Sequence, residues 1–473
     1  MDQIDACDVK GINESLRAWA RPGEFIRPIA IEQVVVADDA LDALVDVVWQ
    51  MAAGGKVLLV CDHTPMRRGS DDLKPLVFDR LSRRGSVQLR HVPVQPGRCH
   101  AKLEAAQELC SELGAYAVVV SVGSGTVTDI TKYARHLFVE ANPSSRLRFV
   151  SFPTAASVTA FTSALAVLSV DGVKRTLSSR APDAVICDLR TIASAPAIMS
   201  QAGFGDVLAR SVAYGDYYLA HVVGMDDDFS VLPGRLLAQA EQEMLDRADD
   251  VAKATLPGVR SVTEAVLLAG MAMSIVNQTA PISGWEHVIS HFFDMTAKYD
   301  GREQALHGGQ VGVATLLAAR AYERAWNALD LNRIAADVPA DASRAWRRRV
   351  ESTFGKYDPA GKLMAEIWRD YDKKMTRWAQ SGEARRRFVD RKRAGELDAF
   401  IAANVRTSRA VEDYLARAGA PRTFDTLDEP IPHETAHAAV QFSHLIRARF
   451  TLGDLLDQGG WLNPDRAAAL LGA

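Results

Sequence analysis

The sequence predicts an α/β protein, with a doubly wound parallel sheet in the N-terminal half and an all-helical C-terminal half. Three observations carry this. Short apolar runs alternate with helical periodicity as far as about residue 190. Two glycines, Gly123 and Gly125, stand between the clearest strand and the helix that follows it. From about Ile192 the pattern changes to long helical periods with almost no strand candidates. The expected division is therefore residues 1–190 and 191–473, since 473 residues are too many for one small core.

Taken in order, residues 41–53 have helical spacing and are stopped by Gly54-Gly55. Lys56 to Cys61 then reads as a buried parallel strand. It ends in Asp62-His63-Thr64, and Arg67 to Arg84 reads as helix. Val87 to Val94 is a second strand, followed by a helix through Cys110, and Ala115 to Val122 is the clearest strand of all. Phe149 to Phe152 and Ala184 to Cys187 add two more. Between them, Val167–Val170 and Val173–Thr176 form a hairpin in which Asp171-Gly172 suits a type I′ turn.

Composition bounds the function. With 48% hydrophobic and 24% charged residues and a net charge of −4, the chain has no footprint for a nucleic-acid partner or a membrane. The basic run Arg385–Arg393 suits a solvated helix face. The five cysteines (Cys7, Cys61, Cys99, Cys110, Cys187) show no CxxC spacing, which argues against a disulfide framework and fits a reducing cytoplasm. No secretory signal and no run of eighteen apolar residues is visible.

Candidate ligand-binding residues cluster in two places. Gly123-Ser124-Gly125-Thr126-Val127-Thr128-Asp129 follows a strand and opens a helix, where free amides and the helix dipole can hold a phosphate. Tight-turn geometry alone is the other reading. Asp62, at the end of an earlier strand, is positioned to bond a ribose hydroxyl, which would favour NAD over NADP; a helix N-cap is the alternative. Pro153 to Val167, with Thr154, Ser157, Thr159 and Ser163, suits a loop closing over a dinucleotide, or ordinary turn chemistry.

The second cluster is in the helical half. His287 and His291 are four residues apart and share a helix face, and His307 opens the next apolar segment. A satisfied polar face explains the pair equally simply. Asp206 sits in a helix-like segment, where by itself it would be a cap or a dipole partner. Together, Asp206, His287 and His307 give a carboxylate and two imidazoles, three ligands with open positions, the layout of a catalytic divalent site. Such an ion would polarise a carbonyl.

These motifs, in this order, resemble the sn-glycerol-1-phosphate dehydrogenases, with the bacterial AraM-type branch most similar. The matching stretches are Gly123–Asp129, Pro153–Ser157, Ala202–Asp206, Ser283–His291 and Leu306–Gly308, with later Phe354–Gly361 and Arg449–Leu455. The superfamily also holds glycerol dehydrogenases, iron-type alcohol dehydrogenases and dehydroquinate synthases. The resemblance implies a dehydroquinate synthase-like fold, metal ligands Asp206, His287 and His307, and His291 against the substrate in a proton path. It places the glycine loop to Asp129, Thr154, Ser157 and Ser163 along NAD(P), with Asp62 on the ribose. Arg210 stands where iron-type enzymes carry a further histidine, so three ligands favour zinc or nickel over iron. Lys174 and Arg210 are cationic candidates for a substrate phosphate, or surface charges.

One position departs from the pattern. Two residues after Ser157 the family typically carries an aspartate that bonds substrate hydroxyl; here it is Thr159. A neutral hydroxyl for a charged acceptor changes discrimination among polar substrates. The expected activity is reduction of dihydroxyacetone phosphate, or a similar small phosphorylated or acidic carbonyl, by NAD(H) or NADP(H) with one divalent metal. A sugar-phosphate cyclase of the dehydroquinate synthase kind, a reductase of another carbonyl, and a non-catalytic binding protein are the rivals. A homodimer or larger homo-oligomer is expected. The Arg-rich insertion, about residues 335–425, reads as a dimer element, a lid or padding.

Overall fold

The structure, a computed structural model, describes residues 4–93, 101–170, 173–358 and 361–472. In chain order the strands are β1 (Gln33–Ala37), β2 (Val57–Cys61), β3 (Arg67–Arg68), β4 (Asp71–Asp72), β5 (Val87–His91), β6 (Val118–Gly123), β7 (Arg148–Pro153), β8 (Leu165–Val170), β9 (Val173–Ser178) and β10 (Ala184–Asp188). Six of them form one parallel sheet in the order β1-β10-β7-β6-β2-β5.

The alternation of side chains along β2 shows why the sheet is covered on both faces. Val57, Leu59 and Cys61 pack with Leu44, Val48 and Val77 of helices Leu41–Ala52 and Leu73–Ser82. Leu58 and Val60 point the other way, to Leu109 and Ile130 of helices Leu103–Glu112 and Gly125–Ala141. From β2 the chain goes outward to β5, then returns to β6 on the other side of β2. The order therefore reverses at β2 and β6, and the crevice beyond their carboxyl ends is where such sheets take ligands.

Three local expectations change. Residues 67–84 are not one helix: β3 and β4 form a small antiparallel hairpin around Gly69 (φ +59°) before the helix Leu73–Ser82 begins. Arg68 explains the break, since its guanidinium bonds both oxygens of buried Asp188 at the end of β10. β5 ends at His91, and Val94 and Cys99 lie outside the described residues. The β8–β9 hairpin is present and longer than expected, while Asp171-Gly172 lies outside the described residues. Strand β1 and the helix Val9–Trp19 were not among the elements expected from the sequence, although the helix is amphipathic and buries Val9, Ile12 and Leu16; β1 is mostly half-buried.

After β10 the described chain is helical. Helices Leu256–Val276, Trp285–Ala297 and His307–Ala325 form its centre. Leu256–Val276 has the length and hydropathy of a membrane span, but 78% of its most apolar window is buried inside the molecule. The 335–425 region is built into the same core through Phe354, Ile367, Trp378, Phe388 and Leu415. Its basic helix Gly382–Arg393 is not wholly a solvated face: Arg385 is buried over the Trp378 ring and donates to the carbonyls of Ile334 and Ala336.

Two helices meet through glycine. A Cβ on Gly308 would fall 1.8 Å from the Ala202 carbonyl oxygen, and one on Gly205 would fall 2.3 Å from that of Gly308. Only hydrogen at these positions lets Ala197–Leu208 and His307–Ala325 approach backbone to backbone. Gly203 extends the contact to the sheet half, where its Cβ would strike the Ala156 carbonyl oxygen at 1.8 Å.

Candidate metal centre and cofactor cleft

That crossing sets Asp206 beside His307. Asp206 is the tenth residue of the twelve in Ala197–Leu208, so it is neither a cap nor a first-turn dipole partner. His287 comes from the first turn of Trp285–Ala297, and His307 opens its own helix. One ligand atom from each of Asp206, His287 and His307 lies within 4.8 Å of the others. His287 Nε2 is 3.2 Å and His307 Nε2 3.8 Å from Asp206 Oδ1.

The hydrogen bonds around the triad run in one direction. Gln310 Nε2 donates to Ala305 O and Asp294 Oδ1, so its Oε1 faces Ser290. Ser290 gives its only hydroxyl proton to that Oε1 at 2.7 Å. Its oxygen can then only accept from His307 Nδ1, 2.9 Å away, which leaves His307 Nε2 as a free lone pair. His287 Nδ1 likewise donates to Glu286 Oε1 at 2.9 Å, and its Nε2 turns to Asp206. Tautomers fixed by outer partners are what metal-ligating histidines need. A carboxylate and two imidazoles so presented fit a divalent cation of the zinc, nickel or iron type.

Charge around the triad is tuned by burial. Burial, then Lys174, push His307 down to about 3, so it stays neutral. Burial opposes the charged form of His287, yet its bonds to Asp206 and Glu286 prevail and raise it. Burial also raises Asp206, but His287 and His307 outweigh it and hold the carboxylate below its usual range. His291 is held well below the usual imidazole range by burial and by Arg447 and Lys174. Its ring lies 6.4 Å from that of His287 and 5.8 Å from that of His307. Arg447 Nη2 donates to His291 Nδ1 at 3.2 Å; a guanidinium only donates, so the His291 proton is on Nε2.

The cofactor candidates lie along the crevice. β6 ends at Gly123 and the helix starts at Gly125, with Ser124 as an N-cap whose side chain makes no capping bond. A Cβ on Gly125 would fall 2.6 Å from Val158, so glycine lets the turn tuck under the next loop. Thr154 N–H bonds Gly123 O, tying the two segments, and the hydroxyls of Thr154 and Ser157 have no protein partner among the described residues. Thr126 and Val127 complete the first turn. Asp129 is buried against Lys132, whose ammonium also bonds Ala160 O, so this pair supports the loop from beneath. Ser163 Oγ accepts from Leu165 N–H.

Asp62 is no helix cap, since Asp72 precedes Leu73–Ser82. It caps its own turn, accepting from Thr64 N–H and Oγ1–H, and pairs with Lys74 at 2.7 Å. Lys174 pairs with Asp294 at 2.7 Å beside the triad. Arg210 is committed instead to buried Glu241, on helix Leu232–Asp246. Thr159 is joined to the triad by its backbone, its N–H donating to Asp206 Oδ2 at 3.0 Å. Glu286, Ser290, Gln310 and Arg447 were not singled out beforehand. Glu286 and Ser290 stand inside the Ser283–His291 motif, and Arg447 lies two residues before the Arg449–Leu455 stretch.

Comparison with known proteins agrees with this arrangement. The family model described as iron-containing alcohol dehydrogenase matches residues 35–196. Glycerol-1-phosphate dehydrogenase [NAD(P)+] of Bacillus subtilis is 30% identical over 354 residues, 74% of this chain and 84% of its own length. The protein of the same name from Bacillus licheniformis is 24% identical over 444 residues, 93% of this chain and 92% of its own. Among solved structures, glycerol dehydrogenase from Schizosaccharomyces pombe superposes with a TM-score of 0.56 at 15% identity, covering 93% of this chain and 90% of that one, which shows the shared fold. On sequence identity and coverage, with a shared fold, the chain belongs to the glycerol-1-phosphate dehydrogenase family.

Proposed function

We propose that the chain is a metal-assisted, NAD(P)H-dependent reductase that converts dihydroxyacetone phosphate to sn-glycerol 1-phosphate. The observation that carries this is the directed hydrogen bonding that leaves the Nε2 atoms of His287 and His307 aimed with Asp206 at one point. A divalent ion held by these three would act as a Lewis acid on the substrate carbonyl, and the nicotinamide would supply hydride.

The chain's own residues do the rest. Residues 1–190 would carry the dinucleotide, with its pyrophosphate on the Gly123–Val127 turn, Thr154 and Ser157 along it, and Asp62 accepting from the adenosine ribose. Residues 191–473 would carry ion and substrate. His291 keeps its proton on Nε2 and so presents a donor to a substrate oxygen, with Arg447 fixing the tautomer from behind. Thr159 contributes its backbone to Asp206 and a neutral hydroxyl where a carboxylate is usual in the family. The enzyme is expected to act in the cytoplasm as a homodimer or larger homo-oligomer.

The test is a nicotinamide absorbance assay with zinc-, nickel- and iron-loaded enzyme. NADH or NADPH oxidation is expected with dihydroxyacetone phosphate, and loss of metal retention in Asp206→Ala, His287→Ala and His307→Ala. Full metal content in any of the three variants removes that residue from the ligand set. Turnover that is indifferent to chelation removes the metal from the reaction.

A further inference from the structure

Arg447 is a cation that the fold has not neutralised. It makes no ion pair with a carboxylate within 4.0 Å among the described residues. Its Nη2 is used twice, on Lys174 O and on His291 Nδ1, while Nε and Nη1 have no acceptor there. The acids nearest to it are taken: Asp294 by Lys174 and Gln310, and Asp370 by Arg175. Arg449, two residues on, donates to Ser283 and Thr279, and its nearest opposing charge is Glu286. Burial, then the charges of Arg175 and Arg449, lower Arg447 to about 10, so the pocket itself disfavours this cation. Half-buried charge left in this state calls for an anion from outside.

Its position is specific. Arg447 touches His291, whose ring is 5.8 Å from that of His307, so the free face of the guanidinium stands one imidazole away from the triad. Lys174, on β9, accepts from Arg447 through its carbonyl and keeps its ammonium on Asp294.

We propose that Arg447 forms the subsite for the substrate's phosphate, which its free Nε–H and Nη1–H donors hold by charge-assisted hydrogen bonds. A carbonyl at the triad and a phosphate at Arg447 are then spanned by one short chain passing His291. Charge-assisted bonds from guanidinium N–H groups to phosphate oxygens are roughly twice as strong as neutral ones. This deepens the proposed reduction of dihydroxyacetone phosphate and rests on it for the identity of the substrate, but anion binding can be read without turnover.

The experiment compares wild type, Arg447→Gln and Arg447→Lys, all metal-loaded, with metal content and NADH binding checked in each. Inorganic phosphate binding is measured by calorimetry, and kcat/KM with dihydroxyacetone phosphate and with uncharged dihydroxyacetone. Wild type should bind phosphate. Arg447→Gln should lose that binding and at least a hundredfold in kcat/KM for the phosphorylated substrate, chiefly through KM; the uncharged ketone should lose at least tenfold less, and in kcat, where the disturbed His291 tautomer acts. Arg447→Lys, keeping the charge but not the donor positions, should fall between. Equal losses for both ketones, or phosphate binding that is absent in wild type or undiminished in the variants, overturn the proposal. Should wild type bind phosphate through Arg447 yet reduce neither ketone, the subsite stands and the substrate assignment falls.

Discussion

Ser290 Oγ lies 2.9 Å from His307 Nδ1 and can only accept there, because its proton is given to Gln310. The orientation of His307, a proposed metal ligand, is thus decided at Asp294 and the Ala305 carbonyl, which fix Gln310 in turn.

Ser290→Ala should therefore weaken metal binding about 10- to 100-fold, the usual range for losing an outer partner of a ligating histidine. A competition titration with a chromogenic chelator reads this directly. Affinity equal to wild type would show that His307 needs no orienter.

Gly308 and its neighbour Gly309 make a paired test of the helix crossing. Gly308→Ala puts a methyl 1.8 Å from the Ala202 carbonyl oxygen, which backbone cannot yield cheaply. It should cost about 1–3 kcal/mol in stability and reduce metal occupancy, since Asp206 and His307 are set by that contact. Gly309→Ala, which meets only the Leu427 side chain at 3.2 Å, should leave both nearly unchanged. Calorimetric unfolding and elemental analysis of the purified variants distinguish them, and indifference of Gly308→Ala would deny the crossing its role.

Asp62→Ala should weaken NADH more than NADPH. Lys74 keeps the carbonyls of Asp62 and Thr64 as acceptors, so the turn should survive. Its ammonium loses its carboxylate and becomes a partner for a 2′-phosphate. KM values for the two cofactors measure the shift, and an equal loss for both would end the ribose assignment.

The sheet was readable because β2, β6, β7 and β10 are buried on both faces and so are nearly unbroken apolar runs. β1 was not, since four apolar residues in a row, Val34–Ala37, are too short a run to tell a strand from a helix segment by pattern alone. The triad was readable as residue types in order, with His287 and His291 at helical spacing. Its second layer was not: nothing local tells that Gln310 reaches Asp294, or that Arg447 reaches His291 across 156 positions. Arg210 shows the converse, a cation with promising spacing that the fold gives to Glu241.

The bond from the Thr159 amide to Asp206 joins the loop proposed to line the cofactor to the carboxylate proposed to hold the ion. Whatever stiffens one end should steady the other, so loading at the two places is expected to be mutually reinforcing. By reciprocity, the factor by which the ion tightens NADH must equal the factor by which NADH tightens the ion. Dissociation constants measured with and without the second ligand should show a common factor above one; a factor of one would mean that Thr159 transmits nothing.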